Sequence, residues 1–180
     1  MALIEQFAKF IKPILENGTI LSVRRNHGLE HATIHMLNRQ NLTLSGRSSA
    51  GGFVLYGDVS TEKVERAVQD ALTRFRRGEA QWAVHPNCGT NLVTTGVLTT
   101  SIAALGFTGT SRKRAWDRFP VVMVFMMIAS LYSLPIGMSL QKYITTTGQM
   151  GDLDVVSIKR REVTLPFGKK SVVHQVKTQS

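Results

Sequence analysis

Apolar residues recur at several distinct spacings along this chain of 180 residues. In residues 2–16, Leu3, Phe7, Phe10, Ile11, Ile14 and Leu15 follow a helical period. They predict an amphipathic helix over residues 1–19, stopped by Asn17-Gly18, that either lies on a membrane or covers a small domain. Asn26 stands where an N-cap belongs and opens a predicted helix through about Asn38. Leu42–Leu44 reads as a short strand, SGRSSAGG as a loop and Phe53–Gly57 as a second strand. Ser60 caps a third helix, with Val64, Ala67, Val68, Ala71, Leu72 and Phe75 as one stripe; Gly78 ends it and Ala80–Val84 reads as a strand. Residues 20–88 thus form a small α/β unit of about 70 residues, too short to bury a large core without help.

Beyond this unit the alternation stops. No charged residue occurs from Pro86 to Ser111, and none from Phe119 to Gln141. Pro120–Leu140 is long enough, as a helix, to cross a hydrocarbon layer of about 30 Å. The first stretch is diluted by Thr and Gly, which suits a helix packed closely on another. Only Ser111–Arg118 separates the two, with Trp116 placed for an interface. Residues 89–142 therefore read as a transmembrane helical hairpin, with Gly96, Gly106 and Gly137 letting the backbones approach. Two buried core helices of a soluble protein are the alternative. Alternation returns in residues 154–165 and 170–178, with LPFGKK between them, so residues 143–180 read as a C-terminal β-hairpin tail. The predicted class is α+β.

Composition sharpens this picture. Hydrophobic residues make up 43% and charged residues 19%, which excludes a disordered tail protein. The single cysteine, Cys88, excludes an internal disulfide. A mean hydropathy of −0.01 looks soluble only because it averages charged and uncharged stretches. The net charge of +10 fits contact with anionic headgroups. No reading motif or aromatic-basic interleaving supports nucleic acid as a partner. Arg112, Lys113, Arg114 and Arg118 in the short loop face six cations flanking the hairpin, and residues 1–19 lack a secretory signal. Both terminal parts are expected in the cytoplasm.

The chemistry concentrates in two short clusters. In His27-Gly28-Leu29-Glu30-His31, helical geometry puts His27, Glu30 and His31 on one face, continued by Ile34 and His35. H-x-x-E-H is the inverted zinc-protease order, in which two imidazoles bind metal and the carboxylate activates water. A solvated polar helix face is the alternative. The second cluster, His85-Pro86-Asn87-Cys88-Gly89-Thr90-Asn91, brackets an imidazole and a thiol between proline and glycine just ahead of the first apolar stretch. Such a loop brings both ligand types to one metal, and that donor set suits zinc over magnesium or calcium. For Cys88 the alternative is a small buried hydrophobe at a helix start.

HGLEHATIH, GRSSAGGFVLYGDV and HPNCGTNL together resemble an uncharacterised bacterial membrane-protein family of cyanobacteria and Chloroflexota, over roughly residues 20–178. The paired signature H-G-x-E-H and H-P-x-C-G-T also resembles that of the YqhQ family of predicted metal-dependent membrane proteins. The resemblance implies residence in a bacterial cytoplasmic membrane. It also implies a metal site of His27, His31, His85 and Cys88, with Glu30 beside it, and carries no substrate. The Gly46–Gly52 loop departs from the YqhQ pattern.

Weaker signals are read more plainly. SGRSSAGG lacks the Gly-Lys-Ser/Thr ending of a phosphate loop and is expected to be a turn, with an anion contact at Arg47 at most, or a lid over the metal. Asp58 is expected to support the start of the third helix, and His174 to sit on the surface. Two functions follow. In one, a membrane-anchored hydrolase binds one zinc per chain through three of these ligands, uses Glu30 as general base, and acts on a lipid-linked or membrane-protein substrate. In the other, all four ligands close a structural site in a non-catalytic membrane subunit or assembly factor docked on a larger complex. A metal-free interaction module is the third reading.

Overall fold

A computed structural model describes residues 2–164 and 170–179. The fold is α+β, with a four-stranded antiparallel sheet of order β1-β2-β4-β3. Two compact units form, Ala2–His85 with Gln141–Ser180, and Pro86–Leu140.

The first unit opens with α1 (Ala2–Phe10), α2 (Lys12–Leu15) and α3 (Gly18–Asn38). Pro13 has no N–H and is tolerated only in a first helical turn, so the chain breaks after Phe10 and restarts at Lys12. Helix α3 begins eight residues before Asn26, which corrects the N-cap expectation. Asn26 is instead fully buried in mid-helix. Its side-chain amide donates to the carbonyls of Ser49 and Ala50, and its Oδ1 accepts from the Thr178 hydroxyl at 2.7 Å. A polar residue inside a helix is stable there because all its bonds are made to the neighbouring sheet.

Strand β1 occupies Ser45–Ser49 and β2 Gly52–Tyr56. The expected strand at Leu42–Leu44 therefore lies three residues later, and the expected SGRSSAGG loop is itself a strand. Arg47 faces Val54 in the ladder, so the segment is a paired strand and not the expected turn or hinged lid. The small, polar residues of β1 disguise it, because strand signals rest on β-branched and aromatic side chains. Only Ala50 and Gly51 remain as a turn, and Gly52 after them holds φ +129°, a value suited to glycine.

Helix α4 (Thr61–Arg76) buries the whole predicted stripe from Val64 to Phe75 and ends at Gly78 with φ +83°. Strands β3 (Asp154–Thr164) and β4 (Lys170–Gln179) pair as the expected hairpin, and β4 also pairs with β2. The predicted LPFGKK turn falls, but for its last lysine, on 165–169, outside the described residues. The core packs Leu29, Ala32, Met36 and Leu37 of α3 and the α4 stripe with Phe53, Leu55 and Val176 of the sheet.

The second unit consists of α5 (Gly89–Phe107) and α6 (Arg112–Leu140), both long and apolar enough to cross a membrane. A Cβ at Gly106 would collide with the Val122 side chain, and one at Gly137 with Asn91, so both glycines admit the facing helix. Thr95 and Ser133 share a hydroxyl hydrogen bond at 2.6 Å between the helices. A Cβ at Gly96 would meet nothing within 4 Å, which corrects its expected packing role.

Candidate metal centre

The centre starts from the periodicity of α3. His27, His31 and His35 stand four residues apart and therefore follow one another along a single face. Each ring is fixed by a backbone carbonyl supplied by an irregular turn. A turn of 3-10 helix at Ala80–Ala83 replaces the strand expected there. It presents consecutive carbonyls: His31 Nδ1 lies 2.8 Å from the Ala83 oxygen and His35 Nε2 lies 2.9 Å from that of Val84. Trp82 and Arg74 brace the turn by bonding to the same Glu79 oxygen, at 2.8 and 3.0 Å.

A π-helical turn at Gln141–Thr145, closed by the Thr146 N–H on the Gln141 carbonyl, supplies the third acceptor. The Thr145 carbonyl is 3.0 Å from His27 Nδ1. Gly28 makes this approach feasible, because a Cβ there would collide with the carbonyl oxygen of Thr147. The glycine inside the H-G-L-E-H motif thus has a packing reason. Gln141, itself fully buried, accepts the His85 backbone N–H at 2.9 Å.

These bonds assign tautomers. A carbonyl oxygen only accepts, so the proton sits on Nδ1 of His27 and His31 and the lone pair on Nε2. That is the arrangement by which a backbone carbonyl orients an imidazole for metal binding. His35 uses Nε2 for its carbonyl and has the opposite tautomer. The rings of His27 and His31 are 4.4 Å apart between centroids. His85 lies 5.7 Å from His31 and 4.5 Å from His35. Burial, with His35 beside it, pushes the His85 imidazole down to about 4, so it is neutral near pH 7.

His27, His31 and Cys88 form a group suited to hold a metal ion, their ligand atoms all within 4.8 Å of one another. Cys88 is the N-cap of α5, its sulfur accepting the Thr90 N–H at 3.4 Å. A helix N-terminus favours the anionic thiolate, the form that binds metals. The residues fit a metal on two counts: the donors are two imidazoles and a thiol, and both imidazoles are held in the ligating tautomer. His85 and Glu30 lie outside this triplet. Glu30 is 5% exposed, and a Cβ on Gly46 of β1 would come within 2.5 Å of its Oε1. The carboxylate thus sits between α3 and an edge strand that carries no side chain there.

A family model described as a domain of unknown function, DUF6391, matches residues 22–158. The chain belongs to that family. The matched segment contains the α3 histidines, the 3-10 turn, Cys88 and the π turn, so the DUF6391 domain encloses the whole candidate centre. An uncharacterised protein of a Picosynechococcus strain is 29% identical over 157 residues, covering 74% of this chain and 77% of the relative. No solved structure matches.

Three further residues singled out in the sequence also have defined places. His35, which the sequence suggests only as a continuation of the helix face, is held as firmly as His31, and its i+8 spacing from His27 is the signal for it. His174, expected on the surface, is fully buried in β4 opposite Leu55 and Arg160. Asp58 pairs with Arg160 at 3.4 Å ahead of α4.

Proposed function

We propose that this chain is a membrane-anchored zinc protein with one ion per chain, and that it works as a hydrolase at the membrane surface. The observation that carries the reading is the His27-His31-Cys88 triplet with both imidazoles oriented by carbonyls. His27, His31 and Cys88 would hold the ion, and three protein ligands of the His/Cys type are the pattern of catalytic zinc sites that keep a place for water. Zinc in such a site supplies an activated water near neutral pH. Glu30, on the same helix turn as both histidines and shielded from bulk solvent, is the chain's own proton acceptor. The helices α5 and α6 are the anchor, and a lipid-linked or membrane-embedded substrate fits a centre whose cysteine caps the first of them. The resemblance of H-G-x-E-H and H-P-x-C-G-T to the YqhQ family supports the reading of a metal-dependent membrane protein.

One observation favours a second reading. A neutral His85 ring 5.7 Å from that of His31 is near enough for a shift of its loop to make it a fourth ligand. The site would then be closed and structural, in a non-catalytic membrane subunit or assembly factor. X-ray absorption on the detergent-purified zinc protein separates the two. The hydrolase reading predicts one sulfur at about 2.3 Å, two imidazoles and one further light atom at about 2.0 Å. Three imidazoles and one sulfur would overturn it in favour of the closed site.

A further inference from the structure

The N-terminal helices bury only one side. Ala8 and Leu15 face inward, while Leu3, Phe7, Phe10 and Ile14, spaced as one helical face, are exposed; Leu3 and Phe10 reach 79% and 82%. Four large apolar side chains exposed together, three on α1 and one on α2, mark a surface for something to cover. Beside them lies an open cleft of about 610 Å³ between α1, α2, the start of α3 and the π turn. Five cations line it, Lys9, Lys12, Arg24, Arg25 and Lys142, against the two carboxylates of Glu5 and Glu16; Arg25 is paired at 3.1 Å with a third carboxylate, Asp152, so the excess rests on Arg24 and Lys142.

The cleft is firmly built. Arg24 is held by the carbonyls of Leu15, Tyr143, Ile144 and Thr146, with its shortest bond, 2.7 Å, from Nε to Ile144. A guanidinium that only donates to carbonyls keeps its full positive charge in the cleft wall. Lys9 and Lys12 are paired with Glu5 and Glu16 on the helix surface, at 2.9 and 3.5 Å, and remain mostly exposed. Lys142 and Tyr143 are the second and third residues after Leu140, the end of α6. A span ending there delivers them to the headgroup layer by chain length alone, and α1 packs against the turn that contains them.

We propose that α1 and α2 dock on an anionic bilayer surface, the row Leu3, Phe7, Phe10 and Ile14 entering the acyl boundary while the basic cleft takes the phosphate headgroup of an anionic lipid. An apolar row flanked by lysines is the amphipathic pattern that lies in the interface plane. The positive excess of the cleft selects anionic over zwitterionic headgroups, since cations near an anionic surface are attracted to it. This inference rests on the reading of α5 and α6 as membrane spans.

The test is hydrogen exchange of the full chain in nanodiscs, of phosphatidylcholine alone or with phosphatidylglycerol added. Amides of α1 should exchange about tenfold more slowly in the anionic discs, with the difference falling below about twofold in Lys9→Gln/Lys12→Gln/Lys142→Gln. Phe7→Ser/Phe10→Ser should lose the slowing while thermal melting of the remaining domain stays within a few degrees, which separates lost docking from lost folding. Equal exchange in both lipids overturns the proposal. So does equal slowing by inorganic phosphate added to phosphatidylcholine discs, because the cleft would then take a free anion. Alkaline carbonate treatment of membranes reports the spans separately. A chain that is extracted sinks the membrane reading itself, whereas one that is retained without lipid dependence sinks only the docking.

Discussion

His31 gives its Nδ1 proton to the carbonyl of Ala83 at 2.8 Å, and so turns its other nitrogen, as a lone pair, away from the turn that holds it. The imidazole is 2% exposed and bridges α3 to the 3-10 turn. Replacing it by alanine removes that bond, strands a buried carbonyl and opens a cavity. His31→Ala is expected to lose about 2–4 kcal/mol of stability even in metal-free protein, measured by chemical denaturation in detergent. His35→Ala, on a half-buried ring, should lose less than half of that.

Glu30 and Gly46 are a second coupled pair. A side chain at position 46 needs the space the carboxylate occupies, and Gly46 lies in a regular strand without a positive φ. Gly46→Ala should therefore destabilise through crowding alone, by about 1–3 kcal/mol. Adding Glu30→Ala should recover at least half of that loss, a coupling read from a double-mutant cycle. Additive effects of the two substitutions would show that the carboxylate can move aside.

His174 makes stability depend on pH. Burial chiefly, and then Arg160, depress its imidazole, with Asp58 opposing; Arg160 is its ladder neighbour. The folded chain thus binds a proton less readily than the unfolded chain, whose histidine titrates near 6.5. Stability from this group is present in full above about pH 6.5 and falls as the pH drops below it. Thermal melting followed by tryptophan fluorescence should decline from pH 7 to pH 5. His174→Gln, uncharged over this range, should reduce the decline, with the remainder coming from His85, whose imidazole is depressed in the same direction.

The two glycines of the helical hairpin that touch a facing helix are not equivalent to the third. Gly106→Leu and Gly137→Leu should each lower the melting temperature in detergent by several degrees, because Val122 and Asn91 fill the space they open. Gly96→Leu should leave it nearly unchanged. Equal effects at all three positions would contradict the observed packing.

Much of this architecture is legible in the chain because it depends on periodicity. The stripe of α4, the buried face of α3, the two long apolar stretches within α5 and α6 and the β3–β4 hairpin follow from apolar spacing that no neighbour overrides. The failures share a cause. Strand β1 is built from Ser, Gly and Arg, and its strand character comes from pairing with β2 and from Glu30 needing room at Gly46. Asn26 looks like a cap until the sheet supplies its partners. The 3-10 turn at Ala80–Ala83 and the π turn at Gln141–Thr145 have no periodic signature, yet they hold His31, His35 and His27. Residue type alone picks out His27, His31, His85 and Cys88, of which the structure groups all but His85; it says nothing of the carbonyls that orient the histidines.

Metal content per chain is the most direct test of the central claim. Elemental mass spectrometry on detergent-purified protein, never exposed to chelator, would compare the native chain with His27→Ala, His31→Ala, Cys88→Ala, His85→Ala, His35→Ala and Glu30→Gln. The account predicts about one zinc per native chain, lost in the first three variants and kept in His85→Ala, His35→Ala and Glu30→Gln. A folded native chain without metal, or zinc retained after loss of His27, His31 or Cys88, would contradict it.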